Sequence, residues 1–215
     1  MKVEIWSDVM CPFCYIGKRR FEQALAQFAH AGEVEVTWKS FQLNPGLVTA
    51  PSISIHQYLA DAKGWQLDYA KQLNQQVTDM AQAVGLNYQL DNAVVANSFN
   101  AHRLSHLATA KGLGDAAEEA LFNAYFTQGK NIDDTDTLVA LGTSIGLDAE
   151  DVRQALNTNA YADEVRRDID EARQLGISGV PFFVLNDKYA VSGAQAVGVF
   201  SGALEKAWED SSENF

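Results

Sequence analysis

The chain has 215 residues and a formal net charge of −12. Phosphate backbones would be repelled by that surplus of acid, so nucleic acid is excluded as a partner. With 47% hydrophobic and 20% charged residues the composition is that of a globule able to bury a core, and no apolar run approaches the length of a membrane span. The acid is dispersed, densest at Asp133-Asp134-Asp136 and Glu118-Glu119, a pattern that serves solubility. The start, Met-Lys-Val-Glu-Ile, reads directly as a first strand. It lacks the apolar stretch and small-residue cleavage site of a secretory signal, so a cytoplasmic location is expected.

Val3 to Ser7 reads as that strand, and Cys11-Pro12-Phe13-Cys14 follows it. These are the only two cysteines in the chain. Strand, C-x-x-C, then helix is the pattern of a thioredoxin-like redox site. Two intervening residues at a first helical turn let the sulfurs approach bonding distance without unwinding the backbone. Cys11 is then placed at the positive end of the helix dipole, which favours its thiolate, the nucleophile of disulfide exchange. It is expected to be the exposed, reactive thiol, with Cys14 one turn in, more buried, as the resolving one. Pro12 suits a first turn, where its missing N–H costs nothing. Phe13 offers no charge to the thiolate. Two plainer uses of the pair stay open. A structural disulfide closing so short a loop would add little stability, and a reducing cytosol disfavours it. A zinc site would need two more ligands; His102 and His106 have helical i, i+4 spacing, but the long gap is unlike compact zinc modules.

Phe13, Ile16, Phe21, Ala24, Leu25 and Phe28 recur at near-helical spacing, and Gly32 marks a stop. Glu33 to Lys39 alternates polar and apolar as a half-buried strand, so the first forty residues predict β-α-β with a parallel strand pair. After Asn44-Pro45-Gly46 the signals turn helical, from about Ser54 to Leu175. Leu73-Val77-Met80-Val84, Leu138-Leu141-Ile145 and Tyr161-Val165-Ile169-Ala172-Leu175 form stripes ended by Gly85, Gly146 and Gly176. Asp91 and Asp133 stand where N-caps are expected. Phe182 to Leu185 is a continuous apolar run, as in a strand buried on both faces. Asn186-Asp187-Lys188 supplies a turn, Tyr189 to Ser192 pairs back, and an amphipathic helix through Trp208 ends the chain. The pattern predicts an α/β, thioredoxin-like fold. Its halves, residues 1–50 and 176–215, bracket an all-helical lobe at 51–175.

Four stretches, in this order, carry a more specific resemblance: Ser7-Asp8-Val9-Met10-Cys11-Pro12-Phe13-Cys14-Tyr15-Ile16-Gly17, Asn97 to Arg103, Gly176 to Pro181, and Ser192 to Gln195. Over the whole length the chain resembles the DsbA-like thiol–disulfide oxidoreductases, and within them the FrnE-type branch. The resemblance implies that Cys11 attacks a protein or small-molecule disulfide and Cys14 resolves the mixed disulfide, as an oxidoreductase or protein disulfide isomerase. It also implies a cis Val180-Pro181 bond facing the pair, with the Val180 backbone free to meet a substrate peptide. No metal or organic cofactor is called for; protein or peptide dithiols and disulfides, with glutathione as a candidate redox partner, are the expected partners. Related kappa-type glutathione transferases and 2-hydroxychromene-2-carboxylate isomerases typically have serine where Cys11 stands. A glutathione-dependent transferase or isomerase therefore remains an alternative, as does a redox-switched peptide binder without catalysis. The strongly oxidising relatives carry histidine where Phe13 stands, so a weaker oxidant is expected here.

Three more residues bear on that chemistry. Asp8 would oppose the thiolate or accept the Cys14 proton, unless it is a solvated turn residue. His102 and Arg103 lie on the lobe and would line the groove and meet a carboxylate of glutathione or peptide if the lobe folds over the site. A purely structural role for either is the plainer alternative.

Overall fold

A computed structural model describes residues 1–212. The strand β1 (Lys2–Ser7) has five consecutive buried residues, Val3 to Ser7, because it runs through the middle of the sheet with both faces covered. The chain continues through α1 (Pro12–Gln27) to β2 (Glu35–Ser40), which lies parallel to β1 with Val3 opposite Val36 and Ser7 opposite Ser40. Six helices follow: α2 (Ile55–Lys63), α3 (Leu67–Gln82), α4 (Phe99–Ala110), α5 (Gly114–Phe126), α6 (Thr135–Ser144) and α7 (Ala149–Asn157). Helix α8 (Ala162–Gln174) leads back to β3 (Phe182–Leu185) and β4 (Tyr189–Ser192), and α9 (Val197–Ser212) ends the described residues. The sheet order is β2-β1-β3-β4, with β3 antiparallel to β1 and to β4. In the three-residue turn between β3 and β4, Asn186 and Asp187 take φ 49° and 55°, as a tight hairpin requires.

Alternation along the strands sorts their side chains between two layers. Ile5 and its partner Phe183 face the main core, where Phe21 of α1 and Phe200 of α9 meet Phe183 at ring separations of 5.5 and 4.7 Å. Trp6 and Phe182 face the other way, onto Ala172 of α8 and Ile177. The Trp6 indole N–H donates to the Asp168 carbonyl of α8 at 3.0 Å. Helix α8 therefore covers the second face of the sheet. The sequence division at residue 175 places α8 in the helical lobe; of its stripe, Ala172 packs on the sheet layer, and the helix also packs against α4. Sequence periodicity could not tell which neighbour that stripe would meet.

The lobe shares its core with the sheet layer. Tyr15 of α1 stacks on Phe122 of α5 at 5.0 Å, and Trp38 of β2 meets the same ring edge-on at 6.4 Å. Two expected caps are displaced. Asp134 caps α6, accepting from Thr137 N at 2.8 Å, while its neighbour Asp133 takes hydrogen bonds from Thr49 and Asn100. Asp91 sits in a 3-10 turn (Leu90–Asn92) and pairs with His56 at 2.6 Å; α4 starts only at Phe99. Among the described residues no helix is long and apolar enough to cross a membrane.

Replacing Trp6 by Phe removes the tie between sheet and α8, leaves a buried carbonyl without that donor and reduces packed volume. Chemical denaturation should show a loss of about 2 kcal/mol.

Candidate active site

Where β1 ends, the backbone turns through Asp8 to Met10 and enters α1. Cys11 is the N-cap, in an extended conformation (φ −88°, ψ 112°), and Pro12 takes the first helical position. Cys11 N donates to the Asp8 carbonyl at 2.9 Å and Cys14 N to the Cys11 carbonyl at 3.0 Å, so the turn and the helix start are held as one unit. No side chain caps this helix and no acidic residue stands in its first turn. Its N–H groups and dipole are thus left to the Cys11 sulfur.

Both cysteines are free thiols. Cys14 is buried as expected, but Cys11 is buried too, with 3% of its surface exposed against 1% for Cys14. The expectation of an exposed Cys11 needs correction. Its thiol donates to the Val180 carbonyl at 3.5 Å, so the segment before β3 lies over the sulfur. The Val180–Pro181 bond in that segment is cis. Gly17, one turn beyond Cys14, makes the close approach possible: a Cβ there would lie 2.9 Å from Pro181 Cγ. Phe13 is 40% exposed, an apolar side chain presented beside the pair.

Burial pushes the Cys14 thiol well above its ordinary range, and the neighbouring Cys11 adds to the effect. The Asp8 backbone N–H and the Ser7 hydroxyl act in the opposite sense. Cys14 therefore stays protonated at neutral pH.

Tyr88, between α3 and α4, also belongs to the site. Its hydroxyl donates to the Pro12 carbonyl at 2.7 Å, and its ring stacks on Tyr15 and Phe126. Burial, then the charges of Cys11 and Cys14, raise its pKa, so it remains a neutral donor. Nothing in Asn87-Tyr88-Gln89 announces this. The residue was legible only as one aromatic among many, because its role comes from the lobe folding back on α1.

Asp8 is fully buried, which removes the solvated-turn alternative. Its carboxylate accepts from Leu43 N at 2.7 Å and Met10 N at 3.4 Å, and His102 Nε2 lies 3.4 Å from Oδ1. His102 thus reaches the redox turn from beneath it, through Asp8. It does not line a groove. Residues Ala101 to Ser105 are all buried, so this turn of α4 is enclosed and presents none of them to a ligand. Burial opposes the His102 charge, but Asp8, then Glu118 and Asp168, outweigh it and raise its pKa above 6.5. Glu118 of α5, raised by its own burial, takes the Ser105 hydroxyl at 2.6 Å.

Arg103 takes the plainer, structural role. Its guanidinium donates to the carbonyls of Ala155, Leu156, Thr158 and Ala160 and to Asn100 Oδ1, closing the C-terminal end of α7. The Ala155 and Leu156 carbonyls lie in the last turn of α7, where no intrahelical donor remains, and Thr158 and Ala160 follow it; a planar five-donor cation suits such a set. His106, the other histidine weighed for zinc, faces Asp168 and Ser40 at 3.0 and 3.1 Å. Among the described residues no group of three or more His, Cys, Asp or Glu side chains is arranged to hold a metal ion.

A family model, the DSBA-like thioredoxin domain, matches residues 2–205. The chain belongs to that family. A solved structure titled as a probable DsbA oxidoreductase from Streptomyces coelicolor is 43% identical, covers 97% of this chain and 90% of that one, and superposes with a TM-score of 0.92. Two others share the fold at 17% identity. A 2-hydroxychromene-2-carboxylate isomerase covers both chains fully with a TM-score of 0.72. The cytosolic disulfide reductase DsbM from Pseudomonas aeruginosa, solved with GSH, also covers both fully, with a TM-score of 0.65.

The His102 shift sets a sign for stability against pH. A histidine raised in the folded state stabilises fully below its unfolded value, near 6.5, and that contribution is lost as pH rises through the folded value. The stability gap between wild type and His102→Gln should be widest near pH 6 and narrow steadily above it. Urea titrations across pH 6 to 9 measure it; a gap independent of pH would show that His102 carries no charge in the fold.

Proposed function

We propose that this protein is a thiol–disulfide oxidoreductase or disulfide isomerase of the FrnE type, working through Cys11 and Cys14. The observation that carries the proposal is the position of Cys11. It is the uncapped N-cap of α1, with no carboxylate in the first turn, and its sulfur lies against the Val180 carbonyl. Unsatisfied N–H groups at a helix start favour negative charge on a sulfur placed there.

In the reducing direction Cys11, as thiolate, attacks one sulfur of a substrate disulfide, and the other substrate sulfur leaves as thiolate. A mixed disulfide joins Cys11 to the substrate. Its sulfur then has no proton to donate, so the Val180 carbonyl is free to accept a peptide N–H from the bound substrate. Cys14 attacks the Cys11 sulfur and the Cys11–substrate bond breaks; the second substrate sulfur departs, taking up the Cys14 proton as a thiol, and a Cys11–Cys14 disulfide remains. The oxidising direction runs these steps in reverse. Protein or peptide dithiols and disulfides are the substrates, with glutathione as the small-molecule redox partner and no further cofactor. The shared fold of a cytosolic disulfide reductase solved with GSH supports that partner and a cytoplasmic setting. Phe13 supplies neither charge nor hydrogen bond to the reduced pair, which favours reductase or isomerase work over strong oxidation.

Trapping tests the proposal. Cys14→Ser should accumulate mixed disulfides with substrates in cell extract, reversible by dithiothreitol and absent from the Cys11→Ser/Cys14→Ser double variant. In the reduced wild type, iodoacetamide near neutral pH should modify Cys11 before Cys14. Preferential labelling of Cys14 would reverse the two roles. A Cys14→Ser protein that traps nothing yet keeps a glutathione-transfer activity would replace exchange with transferase chemistry. One that traps nothing but still holds unfolded peptide would be a binder.

A further inference from the structure

Ser7 closes β1, one residue before Asp8, and is buried at 2% exposure. Its backbone is in order: Ser7 is paired with Ser40, and its carbonyl accepts from Phe41 N at 2.9 Å. Its side chain is not. The Ser7 hydroxyl is buried with no hydrogen-bond partner, and alternation along β1 turns it to the face of Val3 and Ile5, into the core that holds Cys14, whose negative form it and the Asp8 backbone N–H favour. A buried hydroxyl left unpaired costs roughly 1–3 kcal/mol, so one kept in this place asks for a use. A thiol is a poor acceptor and a thiolate a strong one, and a hydroxyl hydrogen is free to rotate toward whichever acceptor is better.

We propose that Ser7 is a catalytic residue of the exchange reaction. Its hydroxyl, together with the Asp8 N–H, forms a two-donor pocket for the negative charge that develops on Cys14 Sγ. Charge passes through that sulfur in both directions. When an external thiolate attacks Cys11 of the oxidised pair, a new S–S bond forms to Cys11, the Cys11–Cys14 bond breaks, and its electron pair goes to Cys14 as thiolate. When Cys14 resolves a mixed disulfide, its sulfur forms the bond to Cys11, the Cys11–substrate S–S bond breaks with its electron pair going to the substrate sulfur, and the Cys14 proton leaves with that sulfur as thiol. In the resting states Cys14 is either a protonated thiol or part of a disulfide, and neither engages the hydroxyl strongly. Ser7 therefore acts on the barrier between the states and hardly on their balance, as transition-state stabilisation demands.

This inference rests on the exchange chemistry proposed above, and its test uses a reagent that reports on the two sulfurs whatever the natural partner is. Reduced protein is mixed with 5,5′-dithiobis(2-nitrobenzoate) at pH 7. The first thionitrobenzoate released marks attack by Cys11; the second marks attack by Cys14 on the Cys11 mixed disulfide. Ser7→Ala should slow the second release roughly tenfold or more, the scale of a hydrogen bond to a charged group, and leave the first within about twofold. The equilibrium of the pair with glutathione should move less than about threefold. Thermal unfolding should be no earlier than in the wild type, because only an unpaired hydroxyl is lost. A second release at the wild-type rate would overturn the proposal. So would a variant that melts well below the wild type or loses both releases in proportion, since Ser7 would then be a structural residue. Failure of the trapping experiment would instead remove the proposed function and leave the Ser7 result standing.

Discussion

A carboxylate with no exposed surface dictates the arrangement around the redox pair. Taking Asp8 out of water carries a penalty of several kcal/mol unless charge and hydrogen bonds replace the lost hydration. Three segments supply the replacement: the redox turn through Met10 N, the chain leaving β2 through Leu43 N, and the helical lobe through His102. The same residue's carbonyl holds Cys11 N, and its amide faces Cys14. One residue thus joins the two sulfurs to parts of the chain that are distant in sequence. The lobe is not an appendage to a redox domain; its α4 completes the floor of the site.

The two sulfurs differ because the fold gives them different surroundings. Cys11 has the open start of α1 beneath it and the Val180 carbonyl against it. Cys14, one turn along, is enclosed by core, and burial holds its proton. The exchange chemistry proposed above would use that asymmetry, with Cys11 making the attack and Cys14 held back until a mixed disulfide forms. Gly17 and Pro181 keep the covering segment close, and Tyr88 fixes the carbonyl of Pro12 between the two cysteines.

Much of this was legible in the sequence. Alternation and apolar runs placed all four strands, and the C-x-x-C pair after a strand placed the site. Proline at the second motif position and glycine stops such as Gly85, Gly146 and Gly176, all at positive φ, marked helix starts and ends. What could not be read depends on partners far apart in sequence. His102 and Arg103 are both polar and sit side by side on α4, a pattern that leaves both a groove-lining and a structural role open. Only the packing of α4 shows one pointing at Asp8 and the other at the end of α7. Helix α8 has a clean amphipathic stripe, but a stripe does not name the surface it will cover. Ser7 and Tyr88 are ordinary residues in ordinary contexts, and their importance comes wholly from what the fold sets beside them.

The central claim is that the lobe reaches the redox turn through the Asp8–His102 contact. A double-mutant cycle tests it most directly, with unfolding free energies near pH 7 for the wild type, Asp8→Asn, His102→Gln and the double variant. A buried, interacting pair predicts a coupling of at least about 1 kcal/mol, the double variant losing less than the sum of the single ones. Losses that add to within about 0.3 kcal/mol would mean that the two side chains do not interact, and would contradict the claim.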